Sequence, residues 1–201
     1  MQAPVDPDAV LMQRVQRGDM AAFEELVEKY RQPLMNFTAR TLNDHAEAED
    51  VAQAAFVQVF KHAQRYEPGA RFTTWLFTIA RNLCLNEIRR RRRHPAESLD
   101  LTQPDDASQP LRQFEDLKIA APPDETLHGE LIEKVELAIG ALPESQRTAL
   151  LLCREEHLSY DEIARVLGCS VSATKSIIHR GRETIKRVLK PYLRTGAWRE
   201  D

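Results

Sequence analysis

The sequence predicts an all-α protein in which two small helical domains are joined by a flexible acidic linker. Apolar residues recur at helical spacing in two blocks, 8–94 and 125–193, whereas the alternating runs of Val, Ile and Thr typical of strands are nearly absent. The intervening segment, 95–124, holds five prolines among many Asp, Ser and Gln residues, a composition that buries little apolar area. Near the C-terminal end, a glycine turn separates a short helix from a long basic one. We therefore expect a helix-turn-helix in the second domain.

Length and composition narrow the class of protein. The 201 residues allow one or two small domains with proper cores, and 42% hydrophobic with 29% charged residues is typical of globular proteins. No apolar run approaches the roughly 20 residues that span a bilayer. The first residues, MQAPVDPDAV, lack the basic and apolar regions of a signal peptide. We expect a cytoplasmic protein.

The three cysteines predict no disulfide framework and no metal site. They are odd in number, lack CxxC spacing and stand in apolar helical surroundings, so reduced core thiols are expected. Cys153, His157 and Cys169 form the best zinc candidate, but they lack a paired-ligand pattern, and the structural role is favoured. We expect no metal and no cofactor.

The net charge of −3 conceals two regions of opposite sign. Between Arg81 and Arg93 there are six arginines and one acid, Glu87, whereas Ala96 to Glu130 holds nine acids. The overall charge therefore says little about partners, and the two basic elements separated by an acidic connector say more.

The most informative segment, 158–187, predicts the helix-turn-helix. The short helix 160–167 carries apolar residues at helical spacing, and Gly168 follows it where a sharp turn needs a residue tolerant of positive φ. Ser170 can cap a second helix that runs to about Leu189.

The second helix has one apolar and one polar side. Its cations suit phosphates, and its short polar side chains suit base edges in a major groove. An amphipathic basic helix is by itself more often a solvated surface, but the short helix and turn before it favour DNA binding. The apolar stripe comprises Val171, Thr174, Ile178, Gly181, Ile185 and Val188, and the polar side comprises Ser172, Lys175, Ser176, His179, Arg182 and Lys186.

The first block contains a helix with an unusually wide apolar surface. Asp19 and Asp44 can each cap a helix, and the helix after Asp44 carries apolar residues on more than one packing face. This helix is either central to the domain, which composition slightly favours, or lends one face to a partner.

The end of the first block, 66–93, combines aromatic rings with amides and arginines. Bases stack on rings, amides contact exposed base edges and arginines neutralise phosphates, so this pattern suits single-stranded DNA. The alternatives are a core role, which we expect for Phe77, Ile79 and Leu83 and in part for Trp75, and a generic basic tail. The polar and aromatic candidates are Phe72, Trp75, Arg81, Asn82 and Asn86, followed by the five consecutive arginines 89–93.

Four stretches, in this order, resemble the extracytoplasmic-function (ECF) group of bacterial RNA polymerase sigma factors. They cover most of both helical blocks, and their order and spacing make the resemblance strong. The stretches are GDMAAFEELVEKYRQPLMNF (18–37), AEAEDVAQAAFVQVFKH (46–62), FTTWLFTIARNLCLNEIRRRRR (72–93) and LPESQRTALLLCREEHLSYDEIARVLGCSVSATKSIIHRGR (142–182).

The resemblance implies a role for each domain. The first would bind the clamp helices of the largest polymerase subunit and hold the melted −10 element, while the second would bind the β flap and read the −35 duplex. An anti-sigma protein is a further expected partner. The residues implied are Asp50, Gln53, Phe56 and Lys61 for polymerase; Phe72, Thr74, Trp75, Arg81, Asn82, Asn86, Arg89 and Arg90 for the single strand; and Ser170, Ser172, Lys175, Ser176, His179, Arg180, Arg182 and Lys186 for the duplex.

The chain departs from the family pattern at four positions. Ala54 replaces an acid in the polymerase-binding stretch, and Ile177 replaces an arginine in the recognition helix. Thr174 replaces a valine on the buried stripe, and Gly181 replaces an alanine at a cost of about 1 kcal/mol in helix propensity.

The sequence thus favours a transcription initiation factor that is not an enzyme. It offers no phosphate-binding glycine loop and no nucleophile–base arrangement. The main alternative is a dimeric helix-turn-helix regulator of duplex DNA, which leaves 72–93 unexplained. A nuclease using Glu47, Glu49 and Asp50 is a second alternative, but acids at a helix N-terminus are more simply explained by the helix dipole.

Overall fold

The computed structural model describes residues 6–67, 69, 71–93, 125–154 and 158–195, with the backbone alone for 125–130 and 192–195. Within these residues every regular element is helical, which confirms the all-α prediction. The predicted linker, 95–124, lies outside them. The helices are α1 (Pro7–Gln16), α2 (Met20–Leu42), α3 (His45–Lys61), α4 (Phe72–Arg93), α5 (Glu125–Gly140), α6 (Glu144–Arg154), α7 (Tyr160–Leu167) and α8 (Val171–Thr195), with a short 3₁₀ turn at Ala63–Arg65.

Side-chain caps set several helix starts, as predicted. The Asp19 carboxylate accepts a hydrogen bond from the Ala22 amide at 3.2 Å, and that of Asp44 accepts one from the Glu47 amide at 3.2 Å. Each bond satisfies an amide that has no partner within its own helix. α8 extends past the expected end near Leu189 to Thr195, and Pro191 lies inside this extension with its side chain exposed.

The N-terminal unit, α1 to α4, packs around one aromatic and aliphatic core. Phe72 and Phe77 of α4 are fully buried, and Phe77 meets Phe37 of α2 edge-on at 5.2 Å between ring centroids. α1 is fastened by Asp8, which is 5% exposed and bonds to Lys29 Nζ at 2.6 Å and to the Tyr30 hydroxyl. Burial and the adjacent Asp8 carboxylate raise the pKa of Tyr30, so its hydroxyl remains a donor.

The C-terminal unit, α5 to α8, packs against the N-terminal unit. α7 lies on α4, and α6 and α5 lie on α2, so one continuous apolar core runs through both units. The helix α3 is both central and exposed. It buries Val51, Ala55 and Val59, yet Val57 and Phe60 are 48% and 45% exposed. Both alternatives for this helix therefore describe it in part.

Candidate nucleic-acid interfaces

The turn between α7 and α8 has the geometry expected of a helix-turn-helix. Ser159 and Glu162 form a capping box at the start of α7: the Ser159 hydroxyl accepts from the Glu162 amide at 3.3 Å, and Glu162 accepts from the Ser159 amide at 2.7 Å. Gly168 ends α7 at φ 68°, as predicted. The Ser170 hydroxyl then accepts from the Ala173 amide at 3.2 Å, which confirms the predicted cap of α8.

The buried side of α8 explains three departures from the family pattern. Thr174 is fully buried, but its hydroxyl donates to the Ser170 carbonyl at 3.1 Å and lies 3.2 Å from Cys169 Sγ, so its polar atom is satisfied. Ile177 is half-buried against the core. At Gly181 an added Cβ would lie 2.9 Å from Leu150 Cδ1, so glycine allows α8 to approach α6 closely.

The opposite side of α8 is open to solvent. Ser176 donates to the Ser172 carbonyl at 3.1 Å, and Arg180 Nε donates to the Ser176 carbonyl at 3.3 Å, so both side chains lie along the helix surface. The eight residues predicted to contact duplex DNA are all exposed; they are Ser170, Ser172, Lys175, Ser176, His179, Arg180, Arg182 and Lys186.

Lys175 is positioned by the preceding helix. Its Nζ lies 5.9 Å from the ring centroid of Tyr160, which is 40% exposed at the start of α7. A cation over a ring face is attracted by the ring quadrupole, so Tyr160 helps to orient this ammonium group. Sequence reasoning did not select Tyr160, because the contact depends on how the two helices pack.

The first half of α4 is largely covered. Phe72 is fully buried and Thr74 is 5% exposed, whereas Trp75 is half-buried. The Trp75 ring lies 5.3 Å from the ring of Tyr66 and 6.4 Å from that of Phe72. Trp75 is thus part core and part surface, as expected, while Phe72 supports it from below.

Arg81 and Thr74 are turned towards the C-terminal unit. Arg81 Nε lies 3.8 Å from Glu144 Oε1 of α6, and its Nη1 donates to the Val166 carbonyl of α7 at 3.4 Å. The Thr74 hydroxyl lies 3.5 Å from Glu162 Oε1. These two side chains therefore contact protein in this arrangement.

The second half of α4 divides its arginines between acids and solvent. Arg91 bonds to Asp44 at 3.0 Å, and Arg90 bonds to Glu47 at 3.1 Å, while both contact Glu87. The hydrogen bond from Arg90, opposed by partial burial and aided by Arg91, lowers the pKa of Glu87. The side chains predicted for the single strand that are exposed here are Asn82, Asn86, Arg89 and Arg90, with Arg89 Nη1 3.3 Å from Asn86 Oδ1.

A shallow groove of about 290 Å³ adjoins these residues at the end of α3. Trp75, Ile79 and Leu83 give it an apolar floor against which a base can stack. Its rim supplies amide, imidazole and guanidinium donors. The rim residues are Gln58, His62, Arg65 and Asn82.

The outer face of α3 combines charge with exposed apolar area. Asp50, Gln53 and Lys61 are exposed, whereas Phe56 is half-buried against the core. Phe60 lies on the same outer face and contacts Phe23 of α2 at 5.2 Å between ring centroids. Exposed rings of this kind are typical of protein-binding surfaces.

The cysteines are thiols in different surroundings. Burial raises the pKa of Cys84 to about 12, with a further contribution from Glu144. Cys153 and Cys169 are half-buried. The described residues contain no group of three or more potential metal ligands, and His157 of the disfavoured zinc set lies outside them.

Besides Tyr160, sequence reasoning missed three residues that organise these surfaces: Glu144, Glu162 and Phe60. The pattern Ser159-x-x-Glu162 signals a capping box, so the local role of Glu162 was readable. Its contact with Thr74, the contact of Glu144 with Arg81 and the exposure of Phe60 were not, because each depends on packing between distant segments.

No helix in the described part of the chain is long and apolar enough to cross a membrane.

Two family models match the chain. Sigma-70 region 2 matches residues 26–94, and Sigma-70, region 4 matches residues 132–185. The first match spans most of α2 to α4, and the second spans most of α5 to α8.

Curated proteins and a solved structure are similar over nearly the whole chain. The chain is 38% identical over 193 residues to the RNA polymerase sigma-H factor of Pseudomonas aeruginosa, covering 94% of this chain and 97% of that protein. It is 32% identical over 190 residues to the ECF RNA polymerase sigma-E factor of Escherichia coli K12, with coverages of 93% and 96%. The sigma factor RpoE of Bartonella quintana, solved in complex with the anti-sigma factor NepR, superposes with a TM-score of 0.64 at 25% identity, over 84% of this chain and 96% of that one.

Proposed function

Because the chain belongs to the ECF group of RNA polymerase sigma factors, we propose that it binds core polymerase, reads a −35 duplex with α8 and stabilises an unpaired −10 strand on α4. Directing polymerase to promoters is the activity of the family. The division of labour among the helices and the residues named for it are the proposal.

The observation that carries the proposal is the open face of α8. The predicted duplex-contacting residues are exposed together on the side opposite the buried stripe of Thr174, Ile178 and Gly181. Cations there suit phosphates, while the serines and His179 suit base edges.

For the single strand, the groove beside Trp75 supports the proposal. A half-exposed ring with Asn82 on its rim offers stacking and an amide for a base edge. Arg89, Arg92 and Arg93 are exposed further along α4, where they can neutralise phosphates.

For polymerase, the outer face of α3 supports contact with the clamp helices. It presents Asp50, Gln53 and Lys61 around the exposed rings and aliphatic groups of Phe60 and Val57. A polar rim around an apolar centre is the usual anatomy of a protein interface. We assign the β flap to the C-terminal unit on family grounds.

We also propose an anti-sigma protein as a partner, because the similar Bartonella structure contains one. The site of action is the cytoplasm, where polymerase and promoter DNA are found. We assign no enzymatic reaction, metal or cofactor to the chain; binding energy would sustain strand opening.

The test is transcription with purified core polymerase and a promoter library, combined with permanganate footprinting of unpaired thymines. Run-off transcripts that require both protein and core polymerase, with reactive thymines near −10, are expected. Specific duplex binding without polymerase and without transcripts would instead indicate a stand-alone regulator. Cleaved DNA would indicate a nuclease.

A further inference from the structure

The turn that follows α3 forms part of the groove beside Trp75, and the end of α1 holds this turn. We propose that Gln16 of α1 is a positioning residue for strand opening. Its side-chain amide fixes the turn 63–66, which carries Arg65 on the groove rim and the Tyr66 ring that supports Trp75. This inference rests on the proposed function, since it concerns the same groove.

The Gln16 amide makes two hydrogen bonds to the turn. Its Nε2 donates to the Ala63 carbonyl and to the Tyr66 carbonyl, each at 2.9 Å. An amide nitrogen carries two hydrogens, so these two acceptors saturate it. Between the same two residues the Tyr66 amide donates to the Ala63 carbonyl at 3.0 Å and closes the 3₁₀ turn. Gln16 therefore holds both ends of the turn at once.

A third hydrogen bond runs in the opposite direction, from the turn to α1. Gln64 Nε2 donates to the main-chain carbonyl of Gln16 at 2.7 Å. Gln16 is the last residue of α1, and carbonyls at the end of a helix have no partner within that helix. Gln64 supplies this partner, so the end of α1 and the turn satisfy backbone groups of each other.

The other end of α1 holds the start of α4. Asp6 Oδ2 accepts from the amide of Phe72, the first residue of α4, at 3.1 Å. The Oδ1 atom of Asp6 accepts from the Asp8 amide at 3.2 Å and caps α1. Since Asp8 also bonds to Lys29 and Tyr30 of α2, α1 is itself anchored. One anchored helix thus bonds to both ends of the connection between α3 and α4.

The turn passes its position on to the groove through two side chains. Arg65 is exposed and lies on the groove rim. Tyr66 is 3% exposed, and its ring centroid lies 5.3 Å from that of Trp75 and 6.4 Å from that of Phe72. Trp75 is half-buried, so the Tyr66 ring supports the side of it that faces the protein. A shift of the turn would move a rim cation and the aromatic floor together.

Packing alone does not require an amide at position 16. The buried side of α1 is already aliphatic, with Leu11, Met12 and Val15 in the core, and Gln16 is half-buried beside it. An apolar side chain of similar length could occupy the same space, but it would remove a donor from two backbone carbonyls. A methionine at this position therefore separates the hydrogen-bonding role from the packing role.

The test compares Gln16→Met with Gln32→Met in the full chain. Gln32 is also half-buried, but it lies on α2, where its Nε2 donates to Asn36 Oδ1 at 3.1 Å. Its replacement removes the same chemical group away from the turn. Permanganate reactivity near −10 is measured with core polymerase on a promoter recovered from the library. Competition binding gives the affinity of each variant for core polymerase.

In Gln16→Met we expect reactive thymines to fall roughly fivefold or more, because two hydrogen bonds to the turn are lost. Affinity for core polymerase and helical circular dichroism should be retained, and Gln32→Met should match the wild type. Equal opening by the two variants would overturn the inference. An equal loss of opening and of polymerase binding in Gln16→Met would also overturn it, since α1 would then act on the whole unit. Absence of reactive thymines with the wild-type protein would overturn the proposed function as well.

A second measurement observes the groove without polymerase or DNA. In a Trp198→Phe background Trp75 is the single tryptophan, and acrylamide quenching of its fluorescence reports its access to solvent. Gln16→Met should raise the quenching constant about twofold, since the support of the ring loosens locally. Gln64→Met changes an exposed side chain, removes the return bond alone and should give a smaller rise. Quenching constants that equal the parent value in both variants would overturn the connection from Gln16 to Trp75.

Discussion

The two helices assigned to DNA, α4 and α8, differ in how they present their contact residues. On α8 all eight predicted duplex-contacting residues are exposed. On α4 the predicted residues divide: Phe72 and Thr74 are buried, Arg81 contacts the C-terminal unit, and Asn82, Asn86 and Arg89 are exposed. A helix at the edge of a unit can be read from its own periodicity, whereas a helix between two units cannot.

The largest effect is expected for α8, whose predicted contact residues are all exposed. Lys175→Ala with Arg182→Ala should weaken duplex promoter binding by about 1–2 kcal/mol for each lost phosphate contact and reduce the salt slope by about 2. The readout is fluorescence anisotropy across a salt series with holoenzyme. Arg17→Ala with Arg31→Ala removes one exposed cation that directly follows α1 and one on α2, and is the matched control. Equal losses of duplex affinity in the two variants would mean that these α8 residues do not contact the duplex.

For α4, the variant to test is Trp75→Ala. Loss of one stacking ring should lower the stability of the open complex by about 1–3 kcal/mol, which should be seen as weaker permanganate reactivity near −10. The affinity for polymerase should stay constant. Trp75→Phe keeps an aromatic ring in contact with Tyr66 and should retain most of the reactivity. Parallel losses of opening and of polymerase binding would remove Trp75 from the strand-opening surface.

A third variant tests whether the exposed face of α3 in the N-terminal unit binds polymerase. Phe60→Ala should lower affinity for core polymerase by about 1–2 kcal/mol, as truncation of an interface aromatic usually does. Val10→Ala removes a side chain of α1 that is 44% exposed, against 45% for Phe60, and should have no effect. Competition binding to core polymerase gives the affinities. Identical affinities for Phe60→Ala and Val10→Ala would mean that the α3 face does not bind polymerase.

The buried side of α8 is tested by Gly181→Ala. The new Cβ would lie 2.9 Å from Leu150 Cδ1 and 3.3 Å from Leu150 Cγ, so the half-buried Leu150 must shift, and this strain should cancel most of the gain of about 1 kcal/mol in helix propensity. In a Leu150→Ala background the same change should become stabilising. Chemical denaturation of the four proteins gives the coupling energy, and a coupling near zero would show that Leu150 moves aside freely.

The smallest effect concerns the exposed end of α4. Bonds from Arg90 and Arg91 lower the pKa of Glu87 from its ordinary 4.5, so its contribution is present above pH 4.5 and is lost as pH falls through the lowered pKa. Near neutral pH the free energy of unfolding of the wild type should exceed that of Glu87→Gln by no more than about 1 kcal/mol, since Arg90 is half exposed. Denaturation as a function of pH should show the two proteins converging in acid. A constant difference would assign the effect to packing.

Local chemistry made much of the fold readable. Asp19, Asp44, Ser170 and Gly168 marked helix boundaries through capping and φ preference, and the structure places each as expected. The two faces of α8 followed from its period. Gly181 was read as a defect of propensity, because its reason lies on another helix, at Leu150.

The sequence by itself determined the all-α class, the helix-turn-helix and the polar face of α8, because these depend on residues within a few turns of one another. The tertiary structure decided that Glu144 and Glu162 lie against Arg81 and Thr74 and that Phe60 is exposed. Side-chain spacing along one helix defines its faces. Only packing between segments far apart in the chain decides which of those faces remain in contact with water.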